Sequence, residues 1–198
     1  KASEIAPCAM FELANLIEEC GFPKGVVSVV TGDAENCSAP LTSHPDIDRI
    51  AFTGGTHTAK EIIKNSSNNF AATNLELGGK SPLIVFEDAD IESAANGIIA
   101  GNFGASGQSC VPGSRVIVHK NIAHELIKLI EKKSQSIIVG DPLNPETNLG
   151  PLCTIKQIHL IEDTLKKSIE QGGGIIFGGK KIEQDGNYFE PTLIHCPN

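Results

Sequence analysis

Two hydrophobic periodicities exchange along this chain, and that exchange limits the folds open to it. Short apolar runs rich in β-branched residues stand between stretches whose apolar side chains return every three or four positions. The runs are VVSVV (Val26–Val30), RIAFT (Arg49–Thr53), TNLEL (Thr73–Leu77), LIVF (Leu83–Phe86) and Arg115–His119. Each is too short for a helix and is bounded by glycine or polar residues, which predicts buried strands. Helical spacing predicts a helix from Pro7 to Cys20 with Met10, Leu13, Ala14 and Ile17 on one face, and another over 56–66 through Ala59, Ile62 and Ile63. Asp90 is placed to cap a helix of small residues reaching about Gly101, and Ile122–Ser134 points Leu126, Ile127 and Ile130 inward. A last helix opens at Thr154 with a capping-box pattern to Gln157, buries Ile158, Ile161, Leu165 and Ile169, and stops at Gly172. IIFGG and NYFEPTLI then read as strands around a turn at Asp185 and Gly186. Strands that alternate with helices feed parallel pairing, so the expected class is α/β, with mostly parallel sheets and flanking helices.

A chain of 198 residues can bury an ample core without staples. Its net charge of −8 repels phosphate backbones and anionic lipid, which argues against a nucleic-acid or membrane partner. The six cysteines form no CxxC pair and no zinc or disulfide framework, so reduced thiols in a cytoplasmic setting are expected. The scattered histidines offer no paired metal spacing, and no metal is expected.

Glycine-rich turns direct attention to phosphate. Gly79-Lys80-Ser81 ends as a P-loop does, but Asn74 stands where its first glycine is required, and Gly174–Lys180 is followed by Lys181 in place of Ser or Thr. FTGGT (Phe52–Thr56) delivers two glycines from a strand to a helix start, where free N–H groups and the helix dipole favour phosphate. A tight turn needing positive φ explains the same glycines equally well. Two further residues suggest covalent chemistry. Cys110 lies in a loop dense in Gly and Ser, a setting in which backbone N–H groups or a helix start favour thiolate, although a lone cysteine is more often an inert packing group. Glu76 ends a strand that otherwise reads as buried, and a carboxylate there must be paired, protonated or used as a base.

LELGGKSP (Leu75–Pro82) and FGASGQSC (Phe103–Cys110) resemble the two signature segments of the NAD(P)-dependent aldehyde dehydrogenase superfamily. KASE, GFPKGVVSVVTG, DRIAFTGGT, GDPLNPETNLGP and NYFEPTLI are similar to further motifs of that family, in the same order. The resemblance implies an aldehyde-dehydrogenase-like fold and an NAD-dependent oxidation of an aldehyde to its acid. Cys110 would be the nucleophile, and Glu76 would activate the water that releases the acid, the mark of the hydrolysing branch. Lys1 and Glu4 would hold the adenosine ribose, and the Glu4 carboxylate favours NAD over NADP. Phe52, Gly54 and Gly55 would form the pyrophosphate turn, with Leu77 and Gly78 bordering the nicotinamide. Gln157 would lie near the nicotinamide ribose, with its capping role an equal competitor.

Three departures from the pattern stand out: Gly55 in place of a common Ser, Ala59 in place of Gly, and Pro112 where a small residue is usual. The resemblance also implies an internal segment of a longer chain that forms a homo-oligomer. Residues 1–79 would be the C-terminal half of the nucleotide-binding domain and 80–198 most of the catalytic domain. The competing readings are a non-catalytic relative with a structural or interaction role, and a simple nucleotide-binding module.

Overall fold

The computed structural model describes residues 1–196 and falls into two compact units, Lys1–Gly78 and Gly79–Asn198. Pro197 and Asn198, which end the second expected segment, lie outside the described residues.

The first unit runs α1 (Cys8–Glu19), a single π turn (Ala34–Ser38), α2 (Ala39–Ser43), β1 (Arg49–Gly54), α3 (Thr56–Ser66) and β2 (Ala72–Leu77). β1 and β2 pair in parallel, with Thr53 opposite Glu76 and Gly54 opposite Leu77. Parallel neighbours require a crossover, and α3 supplies it. Its inward stripe is Ala59, Ile62 and Ser66, so Ile63, expected inside, faces out instead. Asn69 donates to the carbonyls of Thr42 (3.3 Å) and His44 (2.7 Å), tying the chain before β2 back to α2.

Val26–Val30 does not form the expected strand. No neighbouring strand among the described residues offers it a ladder; Val30 O accepts the N–H of Ala2 at 2.8 Å, Val26 N–H closes a local turn to Pro23 O at 3.2 Å, and Val26, Val27 and Val30 stand in solvent. α1 forms where the spacing places it, yet it buries nothing: Met10 and Leu13 are exposed.

The second unit runs β3 (Pro82–Val85), α4 (Ile91–Phe103), a 3₁₀ turn (Gly104–Gly107), β4 (Arg115–Val118), α5 (Lys120–Ser134), α6 (Ile155–Glu170), β5 (Gly174–Phe177) and β6 (Leu193–His195). β3 and β4 are parallel, with Leu83 opposite Val116, while β5 and β6 are antiparallel. Val85, Ala95, Ile98, Leu126 and Ile130 form one buried cluster that locks α4 and α5 onto β3. Asp90 caps α4 by accepting the N–H of Ser93 at 2.7 Å.

Two local expectations fail here for identifiable reasons. The capping box at Thr154 does not form, because the backbone carbonyl of Thr154 already accepts the Gln157 N–H (3.0 Å) that its hydroxyl would have taken. NYFEPTLI is a strand only over Leu193–His195, with one isolated bridge from Phe189 to Lys181. Pro191 interrupts the ladder because it has no N–H to give.

The chain exposes 13441 Å². A compact protein of this mass exposes about 9,000 Å², and two separately folded units of these lengths about 11,000 Å². Large apolar side chains contribute to the excess: Phe70, Val111 and Leu143 are each more than three-quarters exposed. Among the described residues, no helix is long and apolar enough to cross a membrane, and no cluster of His, Cys, Asp and Glu is arranged to hold a metal.

Candidate active site

In the first unit, the β1–α3–β2 crossover brings five of the singled-out residues to one place. Gly54 ends β1, Gly55 caps α3, and Glu76, Leu77 and Gly78 lie at the end of β2, so all occupy the carboxyl edge of a parallel pair. That edge is where open α/β sheets bind ligands. The Phe52 ring lies against Gly54, where a Cβ would come within 2.5 Å of its Cζ. Gly55 differs: its φ is −79°, and a Cβ there would meet nothing within 4 Å. A tight turn with positive φ therefore does not explain either glycine, since both have ordinary backbone angles. Gly78 is likewise open and of ordinary φ. Gly54 is instead required by the chain's own Phe52 ring, while Gly55 leaves open space next to the first turn of α3, whose amides no side chain caps.

Glu76 is exposed, which corrects its expected apolar setting. Strand alternation is the reason: Leu75 and Leu77 turn to the half-buried face of β2, and Glu76 turns to the opposite face. Lys1 donates to Glu4 Oε2 at 2.8 Å. That hydrogen bond is the main cause holding the Glu4 carboxyl below the usual carboxylate range, so it is ionised at neutral pH.

Cys110 belongs to the second unit, on the loop from α4 to β4. Its thiol is exposed and unpaired, and its N–H has no hydrogen-bond partner among the described residues. The loop follows a helix C-terminus, so the helix start allowed for at this sulfur is absent and local backbone N–H groups are the available donors. Three successive left-handed residues open the loop: Ala105 (φ 51°), Ser106 (φ 53°) and Gly107 (φ 70°). For Ala and Ser this costs about 1–2 kcal/mol each, and strain of this kind collects at functional sites. Under the loop lies a cavity of about 320 Å³ lined by Lys80, Asn102, Ser106, Ser109 and Pro112. Pro112 is buried, so the departure there is absorbed by packing.

Gln157 stands exposed in the first turn of α6. Two residues of the Cys110 loop surroundings gave no sequence signal. Arg115 donates from Nε to Lys80 O at 2.6 Å, and Asn102 donates from Nδ2 to Ile98 O (2.8 Å) and Gly113 O (3.2 Å). An Asn in the last turn of a helix beside a Gly-rich loop is the pattern that would have found the second.

The model of the aldehyde dehydrogenase family matches residues 1–198. The chain belongs to the aldehyde dehydrogenase family. It is 49% identical over 196 residues to a (Z)-2-((N-methylformamido)methylene)-5-hydroxybutyrolactone dehydrogenase of Acinetobacter baylyi, a match covering 99% of this chain and 40% of that one. The crystal structure of PnpE in complex with nicotinamide adenine dinucleotide superposes with a TM-score of 0.94 at 42% identity, covering 97% of this chain and 40% of PnpE. A putative aldehyde dehydrogenase of Burkholderia cenocepacia reaches a TM-score of 0.97 at 36% identity, covering 100% of this chain and 41% of that one. The chain therefore spans about 40% of the length of the aldehyde dehydrogenases it matches. These likenesses bear out the mixed α/β, aldehyde-dehydrogenase-like fold expected from the sequence.

Proposed function

We propose that the protein containing this chain oxidises an aldehyde to its carboxylic acid with NAD. Residues 1–79 serve as the C-terminal half of its nucleotide-binding domain, and 80–198 as most of its catalytic domain. The observation that carries the reading is an exposed, unpaired Cys110 on a strained loop, together with uncapped first-turn amides of α3 and open space at Gly55 and Gly78. A relative solved with nicotinamide adenine dinucleotide supports the choice of cofactor.

Cys110 Sγ, as thiolate, attacks the aldehyde carbon and forms a C–S bond, while the Cys110 N–H donates to the developing oxyanion. The nicotinamide, when bound, accepts the hydride that turns this tetrahedral adduct into a thioester. Glu76 takes a proton from water, whose oxygen attacks the thioester carbon; the C–S bond breaks, leaving the acid and the Cys110 thiolate, and Glu76 then gives its proton up to solvent. Gly54, Gly55 and the first-turn amides of α3 take the pyrophosphate, and Phe52 shapes the turn. Leu77 and Gly78 border the nicotinamide, and Gln157 lies toward its ribose. Lys1 and Glu4 hold the adenosine ribose. The ionised Glu4 repels a 2′-phosphate, which favours NAD over NADP. Five exposed thiols and a sixth half-buried, all unpaired, support a reducing, cytoplasmic setting, and the family likeness supports a homo-oligomer.

The test separates the two half-reactions. In the intact protein, Glu76→Gln keeps a burst of NADH of about one per site with propanal, while steady turnover falls by about 10² to 10⁴. Loss of the burst in a folded variant would remove Glu76 from the water step.

A further inference from the structure

We propose that Asn102 is a positioning residue for the nucleophile, its side-chain amide tethering the returning limb of the Cys110 loop to the last turn of α4. The inference rests on the reading of Cys110 as nucleophile and goes beyond it. Asn102 Nδ2 lies 2.8 Å from Ile98 O and 3.2 Å from Gly113 O. Both partners are carbonyls, so only the amide nitrogen can face them, and its two protons serve one each. The bond to Ile98 lies within the helix; the bond to Gly113 reaches across eleven residues to the far side of the loop.

Gly113 is pinned from the other side as well. A Cβ on it would lie 2.8 Å from Leu83 Cβ, so its backbone is seated directly on β3. Cys110 thus lies in the span between Asn102, in the last turn of α4, and Gly113, which the Asn102 side-chain amide holds. Inside that span, Ser109 Oγ accepts the N–H of Val111 at 3.3 Å, Gln108 N–H donates to Ala105 O at 3.1 Å, and Gln108 Oε1 accepts the distant Cys153 N–H at a long 3.5 Å. An eleven-residue loop with an exposed thiol needs such a tether if the sulfur is to keep one direction, because a small displacement of a reacting atom costs heavily in rate.

Two substitutions divide the two bonds. Asn102→Ser keeps a hydroxyl that can bond back to Ile98 O but cannot reach Gly113, whereas Asn102→Gln retains an amide long enough to do so. The measurement is the rate of alkylation of each cysteine in the intact protein by limiting iodoacetamide, resolved by peptide mass spectrometry. Asn102→Ser should slow Cys110 by about three- to tenfold and leave Cys8 and Cys20, in the other unit, within about twofold. Asn102→Gln should restore the Cys110 rate to within about twofold of the unsubstituted protein. An unchanged or faster Cys110 in Asn102→Ser, a failure of Asn102→Gln to restore it, or a common change at all three cysteines would overturn the proposal. Failure of the underlying reading shows differently: Cys110 would then react no faster than Cys8 and Cys20 before any substitution.

Discussion

Steric room at single glycines distinguishes what this chain needs for itself from what it offers to a ligand. Gly113 is needed by the chain: the space a methyl group would take is filled by Leu83. Gly113→Ala should therefore cost about 1–3 kcal/mol through overpacking, read as a lower urea midpoint with an unchanged slope. Gly55 is the contrary case, with open space and an ordinary φ, so nothing in its own surroundings requires glycine. Glu76 teaches a related lesson. Its place in the family motif marked it plainly, but the expected apolar setting failed because alternation along β2 turns it away from Leu75 and Leu77. Motif residues were legible as letters; the side chains that hold them, such as Asn102, were not, because a polar residue near a helix end has many ordinary uses.

Elements were most legible where the chain carries its own partner. α3 to α6 and the four parallel strands lie where periodicity places them, since each packs on or pairs with a neighbour inside its own unit. Val26–Val30 and α1 show the converse: an apolar pattern predicts a buried element, and without a covering surface one loses its ladder and the other remains wet. Caps behave likewise. Asp90 forms its predicted bond, while Thr154 yields its role to its own carbonyl. Hydrogen bonds from the Ser93 hydroxyl, then from its backbone N–H, hold the Asp90 carboxyl below the usual range. A carboxyl lowered on folding contributes stability above its unfolded value, near 4, and loses it as pH falls through the lower folded value. Asp90→Ala should thus lower the melting temperature at pH 7, and the gap from the unsubstituted protein should close progressively below about pH 4. Thermal melts by circular dichroism from pH 7 to pH 2.5 check both parts, and a gap that is constant with pH would deny the cap its charge.

The whole molecule divides its chemistry between two units, with the glycine edge and Glu76 in one and the Cys110 loop in the other. Large apolar side chains stand exposed in both units, among them Phe22 and Phe70 in the first and Val111 and Leu143 in the second. Under the proposed reaction, Cys110 carries the acyl group and Glu76 releases it. Slowing release while leaving attack intact makes the acyl group visible. The direct measurement is intact-mass and peptide mass spectrometry of the Glu76→Gln protein quenched in acid after mixing with propanal and NAD. The account predicts a propanoyl adduct of about one per chain, mapped to Cys110 and dependent on NAD. An adduct on another cysteine, an adduct that forms without NAD, or none despite an NADH burst would contradict it.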